Sequence, residues 1–239
     1  MFGPAPGRYQ HDDESNLSYS GIYVRTERGP MLAALGELRF TGWVGPQEGQ
    51  WVLAVTGNPL GKVARNKRRF DDVARDLAST LASAAISIEV ARERRLLIAA
   101  FDAERELPRY DSDPPEPDDA EITLDDFGNP VMPGGSTDTD CDGVARELLG
   151  LLDVDDPEQH LLELLDEDLG ESTNESERLL ALLRLLKLPT WLVSSDSLPR
   201  DVPGGPGRRE VIRLGAGKPG VQGRVNDVVW KPVRGKPRP

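Results

Sequence analysis

The chain has 239 residues, 29 Lys and Arg against 41 Asp and Glu, a formal net charge of −12 and 38% hydrophobic residues. No run approaches the roughly 20 apolar residues a membrane-spanning helix needs. One cysteine excludes a disulfide scaffold and a cysteine-rich zinc site, and the negative balance argues against a protein that coats nucleic acid with its whole surface.

The N-terminus runs through Gly3, Pro4, Pro6 and Gly7 to His11, Asp12, Asp13 and Glu14, without the basic and apolar regions of a secretory signal. A cytoplasmic protein is therefore expected, and residues 1–16, polar and rich in Gly and Pro, are expected to be disordered. Tyr19, Ile22, Tyr23 and Val24 suit a strand over 18–26. Pro30 opens a short helix through Met31, Leu32, Leu35 and Leu38, at the first-turn position proline tolerates. The stretch 48–57 reads as a strand apolar on both faces, with Trp51, Leu53 and Val55 on one and Val52 and Ala54 on the other. Such a strand belongs in the middle of a sheet.

Phe70, Val73, Leu77 and Leu81 recur at helical spacing and predict an amphipathic helix over about 70–84. Ile86, Ile88 and Val90 then alternate with Ser87, Glu89 and Ala91, Arg92–Arg95 makes a bend, and Leu96–Phe101 returns as a second strand. A third strand is expected within 104–110. A helix followed by an antiparallel meander is an α+β arrangement. We expect an antiparallel sheet with a long amphipathic helix, extended by an acidic leucine-rich helical section and short C-terminal strands.

Charge divides this chain into blocks. Residues 1–110 are nearly balanced, 111–177 carry 23 acidic side chains and only Arg146 as a base, and 208–239 carry nine bases against two acids. The expected organisation is a sheet domain over 17–110, an acidic Pro/Gly-rich connector over 111–137, a helical section over 138–202 packed on the sheet domain, and a basic tail over 203–239. In the connector, Leu124 and Phe127 are candidates to dock. Helices are expected from Val144 to Leu152, after the Asp156-Pro157-Glu158 start signal to about Leu169, and from near Ser172–Glu177, where Ser172 and Glu175 or Asn174 and Glu177 have capping-box spacing, to Leu186. Thr190–Val193 reads as a short strand, and edge strands are expected around Val211–Leu214 and Val225–Trp230.

Chemistry-bearing patterns are few. Asp138, Asp140 and Asp142 precede Gly143 at alternate positions, as in the opening of a calcium-binding loop. The pattern then fails, because Leu149 stands where a bidentate glutamate should. The bland alternative is an acidic cap on the helix that follows, and any bound ion would be Ca2+ or Mg2+ held weakly. Lys62, Arg65, Lys67, Arg68 and Arg69 place five cations within eight residues, but the preceding glycine spacing is not that of a phosphate-binding loop. They are candidates for an anion or partner contact, against a solvated or internally paired loop. Cys141 lies between two aspartates that disfavour its thiolate, His11 falls in the expected disordered start, His160 is expected to face solvent or pair with Glu163, and no nucleophile–base pair emerges. By elimination the chain reads as a non-enzymatic cytoplasmic protein whose partner is another protein met through charged surfaces. A metal-dependent enzyme and a nucleic-acid binder are the alternatives, and no membrane partner is expected.

Overall fold

The computed structural model describes residues 17–113, 123–124, 130–131, 140–154, 158–166 and 174–215. The chain is α+β, built on a seven-stranded antiparallel sheet. Its strands are β1 (Tyr19–Arg25), β2 (Gly42–Glu48), β3 (Trp51–Thr56), β4 (Ala85–Ala91), β5 (Arg95–Phe101), β6 (Tyr110–Asp111) and, after a separate two-stranded ribbon of β7 (Thr123–Leu124) and β8 (Pro130–Val131), β9 (Ile212–Leu214). They lie in the order β6-β5-β4-β1-β3-β2-β9.

Period-two alternation sorts the side chains into two cores. Ile22, Val24, Val52 and Ala54 face α1 (Arg28–Glu37) and α2 (Phe70–Leu81), meeting Met31, Leu35, Val73 and Leu77. Tyr19, Tyr23, Leu53, Ile86 and Ile88 face the opposite layer. That layer holds α3 (Cys141–Leu152), α4 (Glu158–Asp166), α5 (Glu175–Leu185) and a 3-10 segment, Thr190–Ser197. All six residues of β3 are buried, as strands covered on both faces require.

The expected strand over 48–57 is two strands in part. Glu48 ends β2, Gly49 turns with φ +59°, and β3 begins at Trp51. β2 escapes sequence reading because Gly42, Gly45 and Pro46 interrupt it. The register of its pairing with β3 shifts between Val44 and Gln47, so Pro46 occupies an irregularity where no ladder donor is needed. α1 begins at Arg28, which makes Pro30 its third residue, still within the turn whose amides lack partners. Of the strand expected within 104–110, only Tyr110 belongs to β6, and Glu106 makes an isolated bridge to Phe101.

Thr190–Val193 is not a strand. It starts the 3-10 segment after Pro189, and its two large side chains enter notches made by glycines of the sheet. A Cβ on Gly45 would lie 2.4 Å from the Trp191 ring, and one on Gly21 would lie 2.8 Å from Leu192. The Trp191 indole N–H donates to Glu48 at 2.8 Å, and the Tyr23 hydroxyl donates to the Pro189 carbonyl at 2.8 Å.

The helical layer begins at polar caps. Asp140 accepts from the Gly143 amide at 2.9 Å and Asn174 from the Glu177 amide at 3.0 Å. The β4–β5 turn, with Arg92 and Glu93 both left-handed, ties α5 to the sheet. The Glu93 carbonyl accepts from the Glu175 amide at 3.2 Å, and its carboxylate from the Ser176 amide at 3.3 Å. The expected strand around Val211–Leu214 is β9, paired with β2 at the sheet edge. The expected strand at 225–230, the N-terminal disorder over 1–16 and Phe127 lie outside the described residues.

Candidate docking loop and the polar row beneath it

The five cations at 62–69 sit on the loop between β3 and α2, and the structure divides them into two sets. Arg68 pairs with Asp76. Arg69 reaches Glu89 at 3.5 Å and Asp71 at 3.9 Å. Both sit at the loop's root. Lys62, Arg65 and Lys67 are exposed, and among the described residues none of them forms an ion pair. Arg68 and Arg69 thus find their carboxylates on α2 and β4, and among the described residues none of the five cations pairs with the acidic block over 111–177.

Backbone bonds fix the loop that carries them. Asn58, Pro59, Leu60 and Gly61 form a turn closed by the Gly61 amide on the Asn58 carbonyl at 3.2 Å. Asparagine, proline and glycine occupy the first, second and fourth places, each suited to a type I turn. Val63 is buried, its carbonyl accepts from Thr41 at 2.7 Å and its amide donates to Arg68 at 2.9 Å. The Arg65 amide donates to Leu38 at 3.0 Å. Asn66 and Lys67 are left-handed at φ 60° and 63°, a conformation that costs non-glycine residues energy. The outcome is a braced projection with Leu60, 52% exposed, at the apex of its turn.

Beneath the loop, strand register assembles a polar row that no local pattern announces. Thr56 of β3, Ser20 of β1 and Glu89 of β4 point to the α2 face; Ser20 stands opposite Glu89 in the ladder and bonds Thr56 at 2.6 Å. The Ser20 hydroxyl also approaches the Pro59 carbonyl at 3.3 Å, which roots the loop in the sheet. Glu89 is almost fully buried, whereas its partner Arg69 is 55% exposed. Burial pushes the Glu89 carboxyl above its ordinary range, Arg69 partly offsets this, Asp71 adds to it and Arg95 opposes it.

A second buried polar group joins the helical layer to β6. Arg178 donates to the Tyr110 hydroxyl at 2.6 Å and lies 3.5 Å from Glu175, and the Tyr110 hydroxyl donates to the Leu165 carbonyl at 2.8 Å. These groups are enclosed and tie elements together. Burial raises Glu175 first of all, with Ser112 and Arg178 opposing.

Of the expected metal ligands, Asp138 lies outside the described residues. Asp140 caps α3 through Gly143, and Asp142 sits in the first turn of that helix. Among the described residues no group of three His, Cys, Asp or Glu side chains converges on one point. Burial, followed by Asp166, Asp140 and Asp142, pushes the Cys141 thiol up. His160, with Glu163, Leu164, Asp166 and Leu185, lines an open depression of about 660 Å³ between α4 and α5. A second depression, about 450 Å³, is lined by residues including Arg25, Ser83, Asp102 and Leu151. No helix among the described residues is long and apolar enough to cross a membrane.

No family model, curated protein or solved structure matches the chain.

Proposed function

We propose that this chain is a non-enzymatic, cytoplasmic accessory or regulatory protein that binds another protein through its charged surfaces. The observation that supports this reading is the division of the basic loop. Charges at its root are paired, whereas Lys62, Arg65 and Lys67 project from a backbone braced by Val63 and the strained Asn66–Lys67 turn. Two arginines near the root of the loop are by contrast paired internally. Arg75 and Arg109 both engage Glu106, at 2.7 and 2.6 Å, and Arg109 reaches Asp71 at 3.4 Å. Cations held in place without an internal partner speed encounter and select a partner of opposite sign.

Crosslinking the full chain in extract of its own cell, followed by mass spectrometry, tests the proposal. Crosslinks between the loop and a partner protein are expected at low salt and should be lost when Lys62, Arg65 and Lys67 are changed together to Glu. No partner at low or moderate salt would overturn the reading.

A further inference from the structure

We infer that the loop from Leu60 to Lys67 docks an acidic protein segment that carries an apolar side chain. The inference rests on the protein-binding reading and names the class of partner.

Charge complementarity gives the first half. Lys62, Arg65 and Lys67 are exposed together on one loop, and none of them forms an ion pair among the described residues. Leu60 gives the second half. Leu60 and Ile212 are the large hydrophobics left exposed among the described residues, and Leu60 stands two positions from Lys62. The Asn58–Gly61 turn holds it outward. A partner that offered carboxylates alone would leave that side chain in water, while one that adds an apolar side chain buries it and gains by doing so. Bracing matters too. Backbone bonds at Thr41, Val63, Arg65 and Gly61 already order the loop, so docking costs little further conformational freedom.

The same features disfavour nucleic acid. Single strands are bound by aromatic side chains on which bases stack, and the aromatic residue that follows this cluster, Phe70, is 4% exposed and packed in the core of α2.

The test uses the full chain and three labelled probes followed by fluorescence anisotropy: a short Asp/Glu peptide carrying leucines, the same peptide with serine for leucine, and single-stranded DNA of equal charge. The leucine peptide should bind at least about fivefold tighter than the serine peptide, as partial burial of an apolar side chain against Leu60 predicts. Its affinity should fall about tenfold from low to high salt. Leu60→Ser should abolish the difference between the two peptides, and Lys62→Glu with Arg65→Glu and Lys67→Glu should abolish binding of both. Arg208→Glu with Arg209→Glu reverses two exposed cations elsewhere and should leave binding unchanged. Thermal melts establish that each variant is folded.

Equal affinity for the two peptides, tighter binding of DNA, or equal losses in the Arg208/Arg209 variant would overturn the inference. If no probe binds while the loop-dependent crosslink to a cellular protein persists, the partner class is wrong and the protein-binding reading stands. If that crosslink is also absent, both fall.

Discussion

Replacing Glu89 by Gln should make the protein more stable at neutral pH and leave its stability unchanged in acid. The side chain is 5% exposed, and its ion-pair partner, Arg69, stands 3.5 Å away with 55% of its own side chain in solvent. An ionised carboxylate in that position has lost its water and regained only distant cations, Arg69 first and Arg95 after it. Glutamine keeps the volume and hydrogen-bonding oxygen without the charge, and the arginine left behind is already solvated. Replacing both members of a fully buried ion pair by apolar residues is often neutral or stabilising by about 1–4 kcal/mol, and here only the buried member has a desolvation cost to lose. The part of the cost that Arg69 offsets puts this case at about 1 kcal/mol, which is a rise in melting temperature of about 3 °C for a chain of this size. The pH dependence follows from the raised carboxyl of Glu89. Below the ordinary glutamate value the residue is protonated both folded and unfolded, and wild type and variant should melt together. As pH rises the unfolded chain ionises first, so wild type loses stability until the pH has passed the folded value, and the variant does not. The companion change, Arg69→Gln, strands the buried charge and should destabilise at pH 7.5 by about 1–3 kcal/mol. Melting curves of the three proteins between pH 4 and 8 give the answer. A Glu89→Gln protein that melts lower than wild type at pH 7.5, or whose difference does not change with pH, would refute the electrostatic account.

The remaining predictions concern packing, capping and the cysteine. Gly21→Ala places a methyl 2.8 Å from Leu192 and 2.9 Å from Leu53; it should cost about 1–3 kcal/mol in chemical denaturation, and that increment should be smaller when measured in a Leu192→Ala background, itself destabilised. Asp140→Ala removes the α3 cap and should cost about 1 kcal/mol, while Asp140→Asn keeps it. Melts of wild type and Asp140→Asn with and without millimolar Ca2+ or Mg2+ should therefore coincide, and an ion-induced rise present only in wild type would establish a metal site there. Alkylation of Cys141 by iodoacetamide at pH 7.5 should run slower than that of a free thiol, because burial and the neighbouring Asp166, Asp140 and Asp142 keep it protonated; labelling at the free-thiol rate would contradict this.

Much of the sheet is legible along the chain because its strands alternate cleanly. Ile86, Ile88 and Val90 declare one face of β4, and they pack as one against Tyr19 and Tyr23. The capping pairs Asp140–Gly143 and Asn174–Glu177 are equally local, and so are the helices they start. Failure begins where a third element decides. β2 contains two glycines and a proline that a strand on its own should avoid. It exists because Gly45 admits Trp191 and because Pro46 falls where pairing with β3 is already broken. Trp191 and Leu192 carry strand propensity of their own, yet the depth of the notches at Gly45 and Gly21 settles their conformation. Neither half of either contact is informative without the other.

The polar row carries that argument to the candidate site. Alternation assigns Glu89 to the face opposite Ile88, but it is silent on whether that face meets water or protein. Burial follows from two facts of long range. Antiparallel register sets Ser20 beside Glu89, and the chain after β3 crosses above them, with Pro59 against Ser20 and Arg69 against Glu89. The same crossing divides the basic cluster. Five cations that look equivalent in sequence are sorted by which can reach a carboxylate: Arg68 and Arg69 return to the sheet and α2, while Lys62, Arg65 and Lys67 cannot. Charge count in a sequence therefore gives the sign of a surface, and topology decides how much of that charge is left for a partner. A loop whose inner cations are consumed at its root presents its outer ones in a fixed place, which is what separates a docking surface from a merely basic stretch.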